Sequence, residues 1–410
     1  MKLMNQPING YLGDDLIELL GSTDYDTLNI VVAFAKNSGV LRIKDSLDNF
    51  RKRGGTVNLF IGVDLGVTSY EALTALLLCS DSLSVVHSEK SQTFHPKIYQ
   101  FLGKEKGMIV VGSHNLTGGG LWTNFESSVH IPLDISNPDS SRLLRDQEEY
   151  LNALASLKDS IMPIKSKDDV DLLLNNGYIS KEVSQRVRQC QENKLNKDIN
   201  LKPLFGNGVQ ATLPRMSELP KDEMAAGPSV FGEQEINKTT DSYKTIWFET
   251  RRLTGGSRNI LDLSMRSLVE KGDPEGTPFD LGEPRFMRGA VEFFGVDPSS
   301  TNVRKDITLN FEGVNYESNT ILFPVGDSAN GTWRLQIKGV SPSQERITDA
   351  FRAKGEDHYL VQKVVTFTKV TDDYYSIAVF PESELENFKK ASSILARNGA
   401  TTNAKLLGLL

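Results

Sequence analysis

Leu28-Asn-Ile-Val-Val-Ala-Phe34 reads as a buried strand, and the periodicity of the next fifty residues limits the fold more than any other stretch of the chain. From Gly39 to Arg53 the apolar positions Leu41, Ile43, Leu47 and Phe50 fall at helical spacing, the pattern stops at Gly54-Gly55, and Thr56 to Val63 is a strand again. Tyr70 to Cys79 continues as a helix, Leu83-Ser-Val-Val-His87 as a short strand, and Ser127 to Pro132 as another. Strands that alternate with helices predict an α/β sheet with helices over both faces, and side chains near strand ends then open onto a cleft.

Two further strands are predicted in Thr93 to Leu102 and Lys106 to Thr117, both rich in β-branched and aromatic residues. On an extended strand, residues i and i+2 share a face, so His95 and Lys97 project together. An imidazole and an ammonium side by side suit a phosphodiester. A phosphate between them would be attacked by neutral His95, with Lys97 and the Asn115 amide expected to hold the non-bridging oxygens where charge accumulates and Ser113 to add a hydrogen bond. The same alternation turns His114 away from Ser113 and Asn115, as a buried or interface histidine. Gly118-Gly119-Gly120 lacks the spacing and the Lys-Ser/Thr of a nucleotide loop, so it reads as a flexible turn that brings backbone close to the site.

His95-x-Lys97 followed by Gly112-Ser113-x-Asn115 resembles the signature of the phospholipase D superfamily. The Asp usual in that family four spacer residues after the Lys is replaced here by Leu102. Metal-independent restriction endonucleases of the BfiI and NgoFVII type also lack it and carry instead a Glu that orients the catalytic histidine. Asn115, 20 residues after His95, and Glu126, 31 after it, are similar in position to that branch. The resemblance implies a phospholipase-D-like α/β sandwich, a covalent phosphohistidine on His95, no metal and no cofactor. Family active sites use two motif copies, whereas His87, His114, His130 and His358 do not repeat His-x-Lys. The second copy is therefore expected from a second subunit, making a homodimer with one composite site. Some relatives work with a separate ATPase or translocase subunit, and this chain has no Walker motif of its own.

Charge shapes the expected division of labour. The net charge is −7, and residues 1–160 hold 14 Lys/Arg against 19 Asp/Glu, so a catalytic domain that acidic gains little DNA affinity from counterion release. Cys79 and Cys190 are the only cysteines, which excludes a disulfide framework and a cysteine zinc site. Met1-Lys-Leu-Met-Asn-Gln-Pro7 has no hydrophobic signal core and no apolar run approaches a membrane span, so a cytoplasmic protein without membrane attachment is expected.

The domains expected are 1–160 for the nuclease, 161–238 for a helical connector and linker, and 239–400 for DNA recognition. Asp139 to Leu157 and Lys167 to Lys194 read as helices, the second polar enough to be a solvated connector, and Asn196 to Lys238 as a linker rich in Pro, Gly and Asn. Beyond it, short strands separated by turn residues predict a β-barrel. Arg251, Arg252, Ser257, Arg258 and Asn259 follow the first of these strands and carry donors suited to phosphates and base edges of double-stranded DNA. This arm resembles the first recognition arm of the plant B-three-type pseudobarrel. The stretch with Trp333, Arg334 and Lys338 is similar to the region of its second arm, with Trp333 expected in the core. Together these readings predict a sequence-specific DNA endonuclease of a restriction system; a non-specific phospholipase-D-type nuclease, a phospholipase, or a DNA-binding subunit with an idle catalytic site are the alternatives.

Overall fold

The computed structural model describes residues 1–90, 92–197, 244–251, 259–325, 331–355 and 358–410. Among the described residues, contacts divide the chain into two compact units, one ending at Glu182 and the other beginning at Val183. Among the described residues no helix is long and apolar enough to cross a membrane.

The first unit runs β1 (Lys2–Gln6), α1 (Leu12–Gly21), β2 (Thr27–Val32), α2 (Asn37–Lys52), β3 (Thr56–Gly62), α3 (Tyr70–Cys79), β4 (Ser82–Val86), β5 (Lys97–Leu102), β6 (Lys106–Gly112), β7 (Glu126–Asp134), α4 (Pro138–Ala155), β8 (Ile161–Pro163) and α5 (Lys167–Asn175). Its eight strands form one mixed sheet in the order β1-β7-β6-β5-β2-β3-β4-β8. The helical crossovers make β2, β3 and β4 parallel neighbours, and the short connection between β5 and β6 makes them antiparallel. The α/β reading of this unit therefore holds.

Its helices are distributed less evenly than the alternation implies. Leu12, Leu16 and Leu20 of α1, Val40, Ile43, Leu47 and Phe50 of α2, Leu73 and Leu76 of α3, and Val170 and Leu173 of α5 share one core with Ile30, Leu59 and Tyr99 of the sheet. The opposite sheet face carries the paired row Leu3, Val129, Val111, Ile98 and Val31. Leu3 is 60% exposed and Val111 43%, so coverage of the two faces is unequal. Two β-rich strands are also shorter than their composition implies. β5 begins at Lys97 and β6 ends at Gly112, which leaves His95 and the 113–115 segment in irregular backbone.

The expected helix over 167–194 is two helices. Gly177 adopts φ +80° after Asn176, a conformation that stops α5, and α6 (Glu182–Lys197) starts anew. Nor is α6 a wholly solvated connector. Val183 and Val187 are buried beside Trp247, Val364 and Phe388, and Arg186 donates to Thr245 Oγ1 at 2.6 Å, all within the second unit.

Among the described residues the rest of the second unit is built on one sheet of eleven strands, with Thr245–Glu249 between Lys363–Lys369 and Leu406–Leu409, and carries short helices at Ile347–Arg352 and Leu385–Ala391. Ile260–Leu263 and Phe286–Arg288 are its edges. Leu261 and Leu263 from one edge, Met287 from the other, and Ile246 and Phe248 from the middle line a single core. A sheet whose two edges and centre bury side chains together is curled round its interior, as in an open barrel. Trp333 lies in this core, fully buried, with its indole N–H on Pro298 O at 3.0 Å.

Candidate active site

β5 lies between β2 and β6, and the five residues singled out from the motif fall around the start of β5, just after β6 and at the start of β7. Lys97 opens β5 opposite Val32, and Pro96 O accepts from Ala33 N–H at 2.9 Å. After β6 the chain leaves the sheet and runs beside residues 34–36, where Leu116 N–H donates to Phe34 O at 3.0 Å and Lys36 N–H to Leu116 O at 3.0 Å. That return carries Asn115 to the end of β2. Glu126 opens β7, where Ser113 N–H donates to Ser127 O at 3.0 Å.

The His95 ring is exposed and stands edge-on to Phe34, with centroids 5.7 Å apart. Lys97 Nζ lies 2.6 Å from its Nδ1, 3.1 Å from its Nε2 and 3.0 Å from His95 O. Lys97 is only 7% exposed, and burial holds its ammonium below the usual lysine range, opposed by the charge of Glu126. The expected pairing of imidazole and ammonium is thus observed, although His95 precedes the strand.

Asn115 Oδ1 accepts from Phe34 N–H at 3.2 Å. With the carbonyl end of the amide engaged, the NH2 end is the donor left for a ligand oxygen. Ser113 Oγ hydrogen-bonds to Glu126 Oε2 and accepts from Ser127 N–H at 3.1 Å. The other oxygen of Glu126 accepts from Asn124 Nδ2 at 3.2 Å. Glu126 therefore holds Ser113 and favours the Lys97 ammonium; its described hydrogen bonds do not include the His95 ring.

His114 points away from this cluster, as its alternation implied, but in a loop instead of a strand. It is 1% exposed, its Nδ1 is 2.7 Å from Gly120 O, and burial keeps it below the ordinary histidine range. The glycine run is one helical turn, Gly119–Thr123, and not a loose loop. The close backbone approach is nonetheless present: a Cβ on Gly120 would meet Asn115 O at 2.3 Å and Asn115 N at 2.8 Å.

Residues that sequence reasoning did not single out support the same loop. Asp64 lies just beyond β3 and is buried; its Oδ2 accepts from Phe94 N–H at 2.7 Å, and its Oδ1 is 2.6 Å from His87 Nδ1. Only the position of Asp64 at a strand end hinted at this. Among the described residues no group of three or more His, Cys, Asp or Glu side chains is placed to hold a metal ion.

The candidate DNA-contacting residues are less uniform. Arg252, Ser257 and Arg258 lie outside the described residues. Arg251 spends its guanidinium inside the second unit, with Nε and Nη2 on Glu249 at 2.8 and 3.1 Å and Nη1 on Asn403 O at 2.9 Å. Arg334 stands 3.8 Å from Asp262, Lys338 donates to Gln336 Oε1 at 3.0 Å, and Asn259 O accepts from Ile337 N–H at 2.9 Å.

No family model matches the chain, and no curated protein does. Solved structures align with about two-fifths of it. They include NucT from Helicobacter pylori, at 15% identity over 38% of this chain and 95% of that one with a TM-score of 0.29. Nuc from Salmonella typhimurium, a phospholipase D family member, aligns at 16% identity over 40% and 97% with a TM-score of 0.29. The polyphosphate kinase of Porphyromonas gingivalis aligns at 15% identity over 40% of this chain with a TM-score of 0.31, and the match spans only 24% of that kinase.

Proposed function

We propose that this chain is a phosphodiesterase acting on double-stranded DNA, a metal-independent, sequence-specific endonuclease of a restriction system that works as a homodimer. One observation carries the reading: the Lys97 ammonium and the exposed His95 imidazole are in contact, and Phe34, edge-on to that imidazole, engages the carbonyl end of the Asn115 amide through its N–H. A phosphodiester in that place meets a nucleophile and two donors for its non-bridging oxygens.

His95 attacks phosphorus and one P–O bond breaks, leaving a phosphohistidine on this subunit. The partner's His95, as imidazolium, gives its proton to the departing oxygen. That same ring then takes a proton from water, whose oxygen attacks phosphorus and releases His95. Lys97 and Asn115 stay on the non-bridging oxygens throughout, and Ser113, held by Glu126, adds a donor at the rim. The second unit supplies the duplex recognition that the acidic first unit lacks.

The internal use of Arg251 favours a second reading, a nuclease with little sequence preference, because it withdraws one candidate base-reading donor. Incubation with mixed plasmid DNA in excess EDTA separates these readings. Discrete fragments from the wild type and none from His95→Ala are expected. A smear favours the second reading, and loss of cleavage on chelation contradicts the metal-independent mechanism. A chain that cleaves nothing alone is next tested with candidate ATPase subunits.

A further inference from the structure

The backbone on each side of His95 is tied down, and one of the two ties is a carboxylate. Pro96 O is held by Ala33 N–H at 2.9 Å, a bond that continues the β2–β5 ladder. Phe94 N–H, on the other side, is held by Asp64 Oδ2 at 2.7 Å. Phe94 also lies over Gly62 so closely that a Cβ there would meet its Cδ1 at 3.0 Å and its carbonyl oxygen at 3.2 Å. Asp64 is 7% exposed, and burying a polar group at that depth is costly unless its oxygens are hydrogen-bonded. Phe94 N–H occupies one oxygen and His87, 2.6 Å away, the other. His87 is itself fixed edge-on to Tyr178, with ring centroids 5.2 Å apart, and its Nε2 stands 3.8 Å from Glu89. The turn that presents Asp64 is unusual as well: the next residue, Leu65, takes φ +59° and leaves its side chain 79% exposed. A non-glycine residue held in the left-handed region persists where its surroundings over-determine it, and such positions cluster at functional sites.

We propose that Asp64 is a positioning residue for His95, acting through Phe94 N–H, with His87 as the second donor that keeps its carboxylate in place. This rests on the reading of His95 as the nucleophile. A charge-assisted bond to backbone is short and directional, so it fixes the segment more firmly than a neutral acceptor does. Because Asp64 touches neither reacting atom, its loss acts on the alignment of the attack and spares DNA binding.

The test compares wild type, Asp64→Ala and Asp64→Asn in the full chain. Plasmid cleavage kinetics are read together with carbethoxylation of His95 by diethyl pyrocarbonate, quantified by peptide mass spectrometry against His358 of the second unit. Asp64→Ala is expected to lower kcat about 10- to 100-fold with KM within twofold, as an ångström-scale misplacement does. Asp64→Asn, which keeps an acceptor for Phe94 N–H, is expected to recover most of that loss. The His95-to-His358 modification ratio is expected to move at least threefold in Asp64→Ala and to return toward wild type in Asp64→Asn. An unchanged ratio in folded Asp64→Ala overturns the inference, as does a loss confined to KM. Unfolding of both variants also overturns it, since Asp64 would then serve the whole fold. If the wild type cleaves no DNA, alone or with candidate ATPase subunits, while the ratio still responds, the nuclease reading fails and the positioning role stands.

Discussion

Lys97 Nζ sits 2.6 Å from His95 Nδ1. A contact of that length between two nitrogens needs a proton on one and a lone pair on the other, and the ammonium is the donor. Before substrate arrives, the lysine thus rests on the ring. On the proposed mechanism a phosphate oxyanion, a better acceptor, would draw the ammonium away and free the ring for attack. Replacing Lys97 by Met is expected to reduce cleavage at least about a hundredfold, the scale for loss of a charge-stabilising donor. Burial disfavours this ammonium in the folded state, so the stability it subtracts at neutral pH returns only as pH rises toward the lysine range. Lys97→Met is accordingly expected to melt higher than the wild type at pH 7, by differential scanning calorimetry, while being inactive.

Asn115 and Ser113 are both donors, but they differ in surroundings. The Asn115 amide is oriented by Phe34 N–H, whereas Ser113 Oγ is already committed to Glu126. Asn115→Ala is expected to cost about 10²- to 10³-fold in kcat and Ser113→Ala at most about tenfold. Single-turnover cleavage rates check the order, and equal losses would contradict it.

Gly120 owes its place to the backbone that lies against it. A methyl there would overlap the backbone of Asn115, so Gly120→Ala must displace either the helical turn or the asparagine. Overpacking of this kind costs about 1–3 kcal/mol. Misplacement of Asn115 is expected to remove about a hundredfold in rate. Chemical denaturation and cleavage assays on the same preparation measure the two effects together.

Glu71 predicts a pH dependence of stability. Burial, reinforced by the charge of Glu182, pushes its carboxyl up to about 7, although its Oε2 accepts from Glu182 N–H at 3.0 Å. Below the ordinary carboxyl value both folded and unfolded chains hold the proton, so this group contributes no difference. Between there and about 7 the unfolded chain releases it first, and folding stability falls as pH rises. Glu71→Gln, which keeps an acceptor for Glu182 N–H, is expected to stabilise the first unit by roughly 1–3 kcal/mol at pH 8 and by little at pH 4. Melting curves of both proteins across that range test it; parallel curves would contradict the assignment.

Distance along the chain decided how much of the site was legible in the sequence. His95, Lys97, Ser113, Asn115 and Glu126 lie within about thirty residues, at the adjoining ends of the three consecutive strands β5, β6 and β7, so short spacing brought them together. The alternation argument still reached His95 by a slightly wrong route, because the strand begins only at Lys97. Asp64 and His87 were not legible, since the fold brings them to Phe94 from the ends of two other strands. The break at Gly177 was legible in Asn175-Asn176-Gly177, a helix-stop pattern that a single helix over 167–194 passes over. The cation-rich arm marks Arg251 as a donor for DNA. Glu249, two residues before it, is the carboxylate that takes it up.

The most direct measurement is to quench the full-length protein with base during turnover on plasmid DNA in EDTA, digest it and locate the nucleic-acid adduct by tandem mass spectrometry. A base-stable, acid-labile phosphoramidate on His95, absent from Asn115→Ala preparations at the same time point, is the predicted result. Cleavage that proceeds with no adduct at His95, or with the adduct on another residue, would contradict the account.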